Sequence, residues 1–353
     1  MTTATNSNVI IPSRSFFERG TTYIVAEMAC AHDGEIERAK RIIDAAALSE
    51  ADAIQFQIFT IRNLISPLSP NLEQARKLEI PSGAWPSLFS HARSLNLDVW
   101  VTVFDEASLT IACECGADVI KIHSSDLSNP DLLEQAAHSG RPLALAVGGS
   151  LPEEIERSVG FLRESGAREI LLMHGFQAYP TKPQDSHLRF IQTLKNTYGC
   201  PIGYQDHTDG GSALAATLPL AAIGFGAVVL EKHLTDDRAR KGTDYESSLG
   251  PVEFTHFVEL VKIIDAAVGD GLVRPLSIAE LEYRKRMKKS ALVNCLVKKG
   301  EIITHEKLVY MRSGAGVSPW DAQSIIGSIA ARDLGAYTPL SPDDVVMQNY
   351  LEE

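Results

Sequence analysis

Pro201-Ile202-Gly203-Tyr204-Gln205-Asp206-His207-Thr208 and Val228-Val229-Leu230-Glu231-Lys232-His233-Leu234-Thr235 are two short apolar runs, each ending in a polar cluster that carries a histidine. Between them, Ala213 to Ala222 reads as a helix. Apolar runs joined through a helix are the pattern of buried parallel strands. If these two strands are neighbours, both imidazoles emerge at one sheet edge, close enough to grip a single divalent metal.

Working outward, six more runs of the same kind precede this pair. They are Tyr23-Ile24-Val25-Ala26, Ala53-Ile54-Gln55-Phe56-Gln57, Val99-Trp100-Val101-Thr102, Val119-Ile120-Lys121-Ile122, Pro142 to Ala146, and Ile170-Leu171-Leu172-Met173. Helical periodicity fills the gaps. Ile36, Ala39, Ile42, Ile43 and Ala46 recur at 3.6-residue spacing, and Pro152-Glu153-Glu154-Ile155 opens a helix with acidic residues in its first turn. Pro251 to Ala266 completes the series. Strand and helix alternating eight times over about 250 residues predict an α/β fold, a (β/α)8 TIM barrel. A doubly wound sheet is the alternative, and the short turns within each unit leave little room for it.

The pattern changes after Asp270. A basic cluster (Arg284, Lys285, Arg286, Lys288, Lys289) is followed by Ala291-Leu292-Val293 and Lys307 to Tyr310, with turns at Lys299-Gly300 and Ser313 to Gly316. These features predict a lead-in over 1–19, disordered or extended, a barrel over 20–270, a linker over 271–288 and a small domain over 289–353. So short a domain is marginally able to bury its own core and is expected to dock on another surface.

The 353 residues are 44% hydrophobic and 22% charged, as in ordinary soluble globular proteins. A net charge of -12 argues against nucleic acid or an anionic membrane as the main partner, though not against an anionic small substrate. No run approaches the ~18 apolar residues of a spanning helix. The polar stretch Met1 to Asn8 does not read as a signal peptide. Five scattered cysteines without a CxxC pair suit free thiols in a cytoplasmic setting.

In such a barrel the chemistry sits at the C-terminal strand ends. Those ends offer Glu27, Gln55, Gln57, Thr102, Lys121, Ser124, Gly148-Gly149, His174, Tyr179, His207, Glu231 and His233. Two neutral imidazoles at adjacent ends suit Mn²⁺, Fe²⁺, Co²⁺ or Zn²⁺, with substrate oxygens and water completing the shell. The bland alternative makes each histidine a hydrogen-bonded core or capping residue. Lys121, inside an apolar strand, would bind a carboxylate or phosphate or form a Schiff base; otherwise it pairs with Glu27 or Asp126. Glu27 would contact a sugar hydroxyl or shuttle a proton, or make a salt bridge in the mouth. Asp33-Gly34 reads equally well as turn chemistry.

Several stretches resemble the sialic acid (N-acetylneuraminate) synthase family, which includes spore-coat polysaccharide biosynthesis relatives. They are Tyr23-Ile24-Val25-Ala26-Glu27, His32-Asp33-Gly34, Ala51 to Gln57, Lys121-Ile122-His123-Ser124, Tyr179-Pro180-Thr181, Ile202 to Thr208 and Leu230 to His233. Lys299 to Thr304, Met311 to Ser318 and Ile326-Gly327 resemble the antifreeze-like (SAF) domain that ends these enzymes. The likeness runs from about residue 20 to the end.

The resemblance implies a metal-dependent transferase. It would condense phosphoenolpyruvate with an open-chain N-acyl amino sugar, giving a nonulosonic acid and phosphate for surface polysaccharide. His207 and His233 would hold the metal, Mn²⁺ first, with Mg²⁺ or Co²⁺ as alternatives. Lys121, Thr102 and Ser124 match phosphoenolpyruvate-binding positions. Glu27, Tyr179 and Asp244 match positions facing the sugar. Arg312 matches an arginine supplied by the partner's antifreeze-like domain, which implies a homodimer with exchanged C-terminal domains.

The chain departs from the pattern at four positions. Gln55 stands where a phosphate-contacting lysine is usual, Ala146 and Gln205 where serines are common, and Gln177 where asparagine or serine is usual. A charge-assisted bond is worth roughly 1.5–3 kcal/mol, so these changes weaken the hold on a dianionic phosphate. They leave open a metal-dependent aldolase or lyase using another donor. A catalytically silent sugar-binding protein is a third reading.

Overall fold

The computed structural model describes residues 16–17, 19–269 and 272–346. The expected lead-in and the end of the expected small domain thus lie largely outside the described residues. Among the described residues, no helix is long and apolar enough to cross a membrane. The chain divides near residue 271 into two compact units.

The first unit is a closed barrel of eight parallel strands in sequential order. They are β1 (Tyr23–Ala29), β2 (Ala53–Ile58), β3 (Asp98–Val103), β4 (Val119–Ile122), β5 (Leu143–Ala146), β6 (Ile170–His174), β7 (Ile202–Asp206) and β8 (Ala227–His233). All eight predicted strands form, and the closed order removes the doubly wound alternative. Helices Ile36–Leu48, Pro152–Glu164, Leu214–Gly224 and Pro251–Val268 stand where periodicity placed them. Two short helices between β2 and β3, Ile61–Leu64 and Leu72–Arg76, were not anticipated.

Alternation along the strands sorts the core into two layers. Ile24, Ala26, Ile54, Phe56, Val101, Ile120, Leu172, Tyr204 and Leu230 face outward and pack under the helices. Tyr23, Val25, Ala53, Trp100, Val119, Ala144, Ala146, Leu171, Met173 and Val229 fill the barrel itself. Trp100 stacks on Tyr23 with ring centroids 5.7 Å apart, and Phe17 meets Trp100 edge-on at 6.0 Å. The interior below the mouth is therefore packed, and chemistry is confined to the C-terminal ends.

The Asp33-Gly34 turn does more than reverse the chain. Both residues take positive φ, 47° and 80°. The Asp33 carboxylate accepts from Thr243 N (3.0 Å), Thr243 Oγ1 (2.6 Å) and the Arg38 guanidinium, which also donates to Asp236 (2.7 Å). The turn after β1 thereby clamps the loop after β8 that carries Asp244. His32 is buried here and its Nδ1 accepts from Gly34 N at 2.9 Å.

Burial pushes the His32 imidazole down to about 4 from 6.5. The unfolded chain takes up this proton at higher pH than the folded one, so the contribution is complete above pH 6.5 and is lost as pH falls towards 4. His32→Asn keeps an acceptor for Gly34 without a titrating group. Urea unfolding at pH 7 and pH 5 is expected to show a loss about 2 kcal/mol smaller in the variant than in the parent. Equal losses would contradict the buried neutral assignment.

The second unit contains an antiparallel pair, β9 (Lys289–Val293) and β10 (Leu308–Arg312), in register from Leu308↔Val293 to Arg312↔Lys289. A second short pair joins β11 (Ile329–Ala330) to β12 (Val345–Val346). Its own core gathers Ala291, Val293, Val297, Ile303, Ala322, Ile325, Ala330, Leu334 and Leu340. The stretch expected as a linker carries a helix, Ile278–Met287, capped by Ser277 with Glu280.

Candidate active site at the barrel mouth

Register brings the polar strand ends together. On β7 and β8, Gln205 pairs with Glu231 and Asp206 with Lys232. His207 follows directly, and His233 pairs with Glu27 on β1. The imidazoles of His207 and His233 lie with centroids 5.2 Å apart. Tyr179, at the mouth and 48% exposed, packs on His207 at 4.4 Å and approaches His233 at 6.1 Å. It lies in the loop after β6, directly before a cis Tyr179-Pro180 bond, and its hydroxyl donates to Gln177 Oε1 at 2.9 Å.

Opposite this group, Gln57 pairs with Thr102 and Thr102 with Lys121 across β2, β3 and β4. Lys121 reaches over the barrel to Glu231, with Nζ 2.7 Å and 2.5 Å from the two carboxylate oxygens. The partner expected for this lysine was Glu27 or Asp126; the structure corrects that to Glu231. Glu231 projects inward from β8, and both groups are buried. Ser124 opens a short turn after β4 and is half-buried.

Both histidines are neutral bases. Burial pushes His207 down to about 4. Burial, with the neighbouring His207 and Lys232, holds His233 well below the usual range. His207 Nδ1 lies 2.8 Å from Phe176 O, which puts the proton on that nitrogen and leaves Nε2 with its lone pair. His233 Nδ1 is buried without a hydrogen-bond partner among the described residues. A neutral pair with free nitrogens fits a divalent transition metal. Among the described residues no group of three or more ligand-type side chains gathers, so water or substrate would have to complete any shell.

Glu27 moves the other way. Burial and then the Glu231 charge raise it well above the usual carboxylate range, with Asp244 adding to the effect. Its Oε1 accepts from Ala29 N at 2.5 Å. Burial also raises Asp244, which accepts from Cys30 N at 3.3 Å. The mouth thus places a protonatable acid on the same rung as a neutral base.

Several buried polar atoms here have no partner among the described residues: both amide atoms of Gln55, Thr102 Oγ1 and Gln177 Nε2. Such atoms are costly unless a ligand or water satisfies them. Ala146 lies in the apolar inner layer and offers nothing polar. Gln205 packs on Gly175, where an added Cβ would fall 2.3 Å from Gln205 Cγ and 2.5 Å from its carbonyl oxygen. That backbone cannot yield cheaply. Gly175→Ala is expected to lower the thermal midpoint by about 3–10 °C, as measured by scanning calorimetry. An unchanged midpoint would show the contact to be looser than described.

Two residues missed by sequence reasoning are Asp206 and Lys232. They form an ion pair at 2.6 Å in which neither side chain is exposed to solvent. Both stand in the polar clusters that end the apolar runs, beside the histidines, and no apolar flank marks them as Lys121 is marked. Arg312 is exposed on β10 of the second unit.

The closed eight-stranded barrel and this mouth define a (β/α)8-barrel enzyme with a histidine-pair site. The chain belongs to the NeuB family, whose model matches residues 42–272. It is 31% identical to the N,N'-diacetyllegionaminic acid synthase of Campylobacter jejuni over 328 residues, 88% of this chain and 96% of that one. It is 28% identical to the pseudaminic acid synthase of Helicobacter pylori, over 91% of this chain and 97% of that one. A solved structure of the N-acetylneuraminic acid (sialic acid) synthetase from Leptospira borgpetersenii serovar Hardjo-bovis, in complex with citrate, is 33% identical. It superposes with a TM-score of 0.70 over 76% of this chain and 92% of that one.

Proposed function

We propose that the chain condenses phosphoenolpyruvate with the aldehyde of an open-chain N-acyl amino sugar. The products are a nonulosonic acid and phosphate, made in the cytoplasm by a homodimer for surface polysaccharide. The observation that carries this is the neutral pair His207 and His233, 5.2 Å apart, beside protonatable Glu27 and facing Lys121. A divalent metal held by the two imidazoles, Mn²⁺ first and Mg²⁺ or Co²⁺ as alternatives, would supply Lewis-acid polarisation of the aldehyde.

The chain's own groups do the rest. Lys121 exchanges Glu231 for the donor's anionic oxygens, and Thr102 and Ser124 offer hydroxyls to the same anion. Gln55, Gln57 and Gln205 offer neutral amides to the donor, and Gln177 offers one beside Tyr179. Tyr179 and Asp244 orient the sugar. As donor C3 bonds to the aldehyde carbon, Glu27 gives its proton to the aldehyde oxygen. Water adds at donor C2, returning one proton to Glu27. The C2–O bond to phosphate then breaks as the new hydroxyl becomes the keto group and its proton leaves with phosphate. One phosphoenolpyruvate, one aldehyde and one water thus become one keto acid and one phosphate.

The small domain resembles an antifreeze-like (SAF) domain, and Arg312 is proposed to serve a partner's site. Mixing Arg312→Ala with His207→Ala protein is expected to restore up to a quarter of parental activity; no restoration would contradict a role in trans.

The test is phosphate release from phosphoenolpyruvate with Mn²⁺ and a panel of N-acyl hexosamines. Release that depends on both metal and sugar is expected, and none across a broad panel would overturn the reading. A second reading, an aldolase or lyase with another donor, is favoured by the unpartnered amide of Gln55. Product from pyruvate and sugar without phosphoenolpyruvate would support it. Sugar binding without turnover of either donor would instead point to a catalytically silent sugar-binding protein.

A further inference from the structure

Asp206 and Lys232 lie on the outer face of the barrel, two residues beyond Tyr204 and Leu230, which pack under the helices. Neither side chain touches solvent. The Asp206 carboxylate accepts from Lys232 Nζ at 2.6 Å, from Thr208 Oγ1 at 2.6 Å, from Thr208 N at 3.3 Å and from Tyr204 OH at 3.0 Å. Lys232 Nζ also donates to Thr208 O at 3.2 Å. Replacing a buried ion pair by apolar residues of similar volume is often neutral or stabilising, so stability alone does not account for so complete a network.

Its position does. Asp206↔Lys232 is the last rung that joins β7 to β8; His207 is the first residue beyond β7 and His233 the last of β8. Beyond that rung the histidine backbones are held from other elements. His207 O accepts from Thr181 N (2.7 Å) and Ser247 Oγ (2.9 Å), and His233 O accepts from Leu249 N (2.9 Å). Those contacts, with the Glu27↔His233 rung to β1, fix the histidines to other elements, whereas the ion pair links the β7 and β8 ends that carry them to each other.

We infer that Asp206 and Lys232 are positioning residues that set the spacing and direction of the His207–His233 pair and thereby its metal affinity. This rests on the reading of the two histidines as a metal pair. Groups that orient metal ligands without touching the metal change affinity by about 10–100-fold when lost.

The test is Mn²⁺ binding to the full-length, substrate-free protein, followed through the electron paramagnetic resonance signal of free Mn²⁺. Asp206→Leu/Lys232→Met is expected to raise the dissociation constant about 10–100-fold. Its metal-free thermal midpoint is expected to stay within about 5 °C of the parent. A dissociation constant within about twofold of the parent would overturn the inference. If the double variant does not unfold cooperatively, Asp206→Asn decides by the same measurement, with weakening of at least about fivefold expected and less than about twofold contradicting it. A parent that binds no Mn²⁺ removes the metal reading, and this inference with it.

Discussion

His207→Ala and His233→Ala are each expected to lower kcat/KM for phosphate release by about a thousandfold or more. Polarising a carbonyl supplies several kcal/mol, and each 1.36 kcal/mol is a factor of ten in rate. Each histidine is buried and neutral, with backbone contacts that do not depend on its ring. The variants should therefore fold, with His207→Ala losing part of the midpoint because Phe176 O loses its donor. Mn²⁺ affinity should fall with the rate, since one imidazole is left where two converge. A variant that loses rate while binding Mn²⁺ as tightly as the parent would assign the histidine to proton transfer or positioning instead.

Lys121→Met is expected to carry the second large effect, on both stability and rate. It strands the Glu231 carboxylate inside the barrel without the ammonium that now sits 2.5 Å away. Breaking a buried pair by removing one partner costs about 3–5 kcal/mol, which in a domain of this size lowers the midpoint by about 6–20 °C. Adding Glu231→Leu removes the stranded charge and should recover most of that midpoint. Activity should not recover, because the donor's anion still lacks its cation. The outcomes to compare are the calorimetric midpoint and the KM for phosphoenolpyruvate in the single and double variants. Recovery of both stability and turnover in the double variant would make the pair purely structural.

The eight strands were legible because each is a short apolar run, buried on both faces and separated from the next by one helix-length segment. β4 forms over the residues read for it. β7 and β8 run further than their apolar cores suggested, through Asp206 and His233. Buried ion pairing, not apolar character, continues the ladder there, and a hydrophobic pattern has no term for it. The helices at Ile61–Leu64 and Leu72–Arg76 are too short to show a period. The histidine pair was legible because consecutive strands neighbour each other in a barrel. The Lys121 partner was not, since it depends on which residues of two non-adjacent strands meet across the interior. Gln55 was visible as a missing charge, but its stranded amide appears only in three dimensions.

The central claim is that this mouth joins a three-carbon enol donor to a sugar aldehyde and releases phosphate from the donor's C2. It is tested most directly by following [3-13C]phosphoenolpyruvate in 18O-labelled water with Mn²⁺ and an accepted N-acyl amino sugar. The account predicts a labelled methylene bonded to the former aldehyde carbon and phosphate free of 18O, because the phosphate leaves with its bridging oxygen. Label appearing as pyruvate, with 18O in the phosphate and no new carbon–carbon bond, would contradict it.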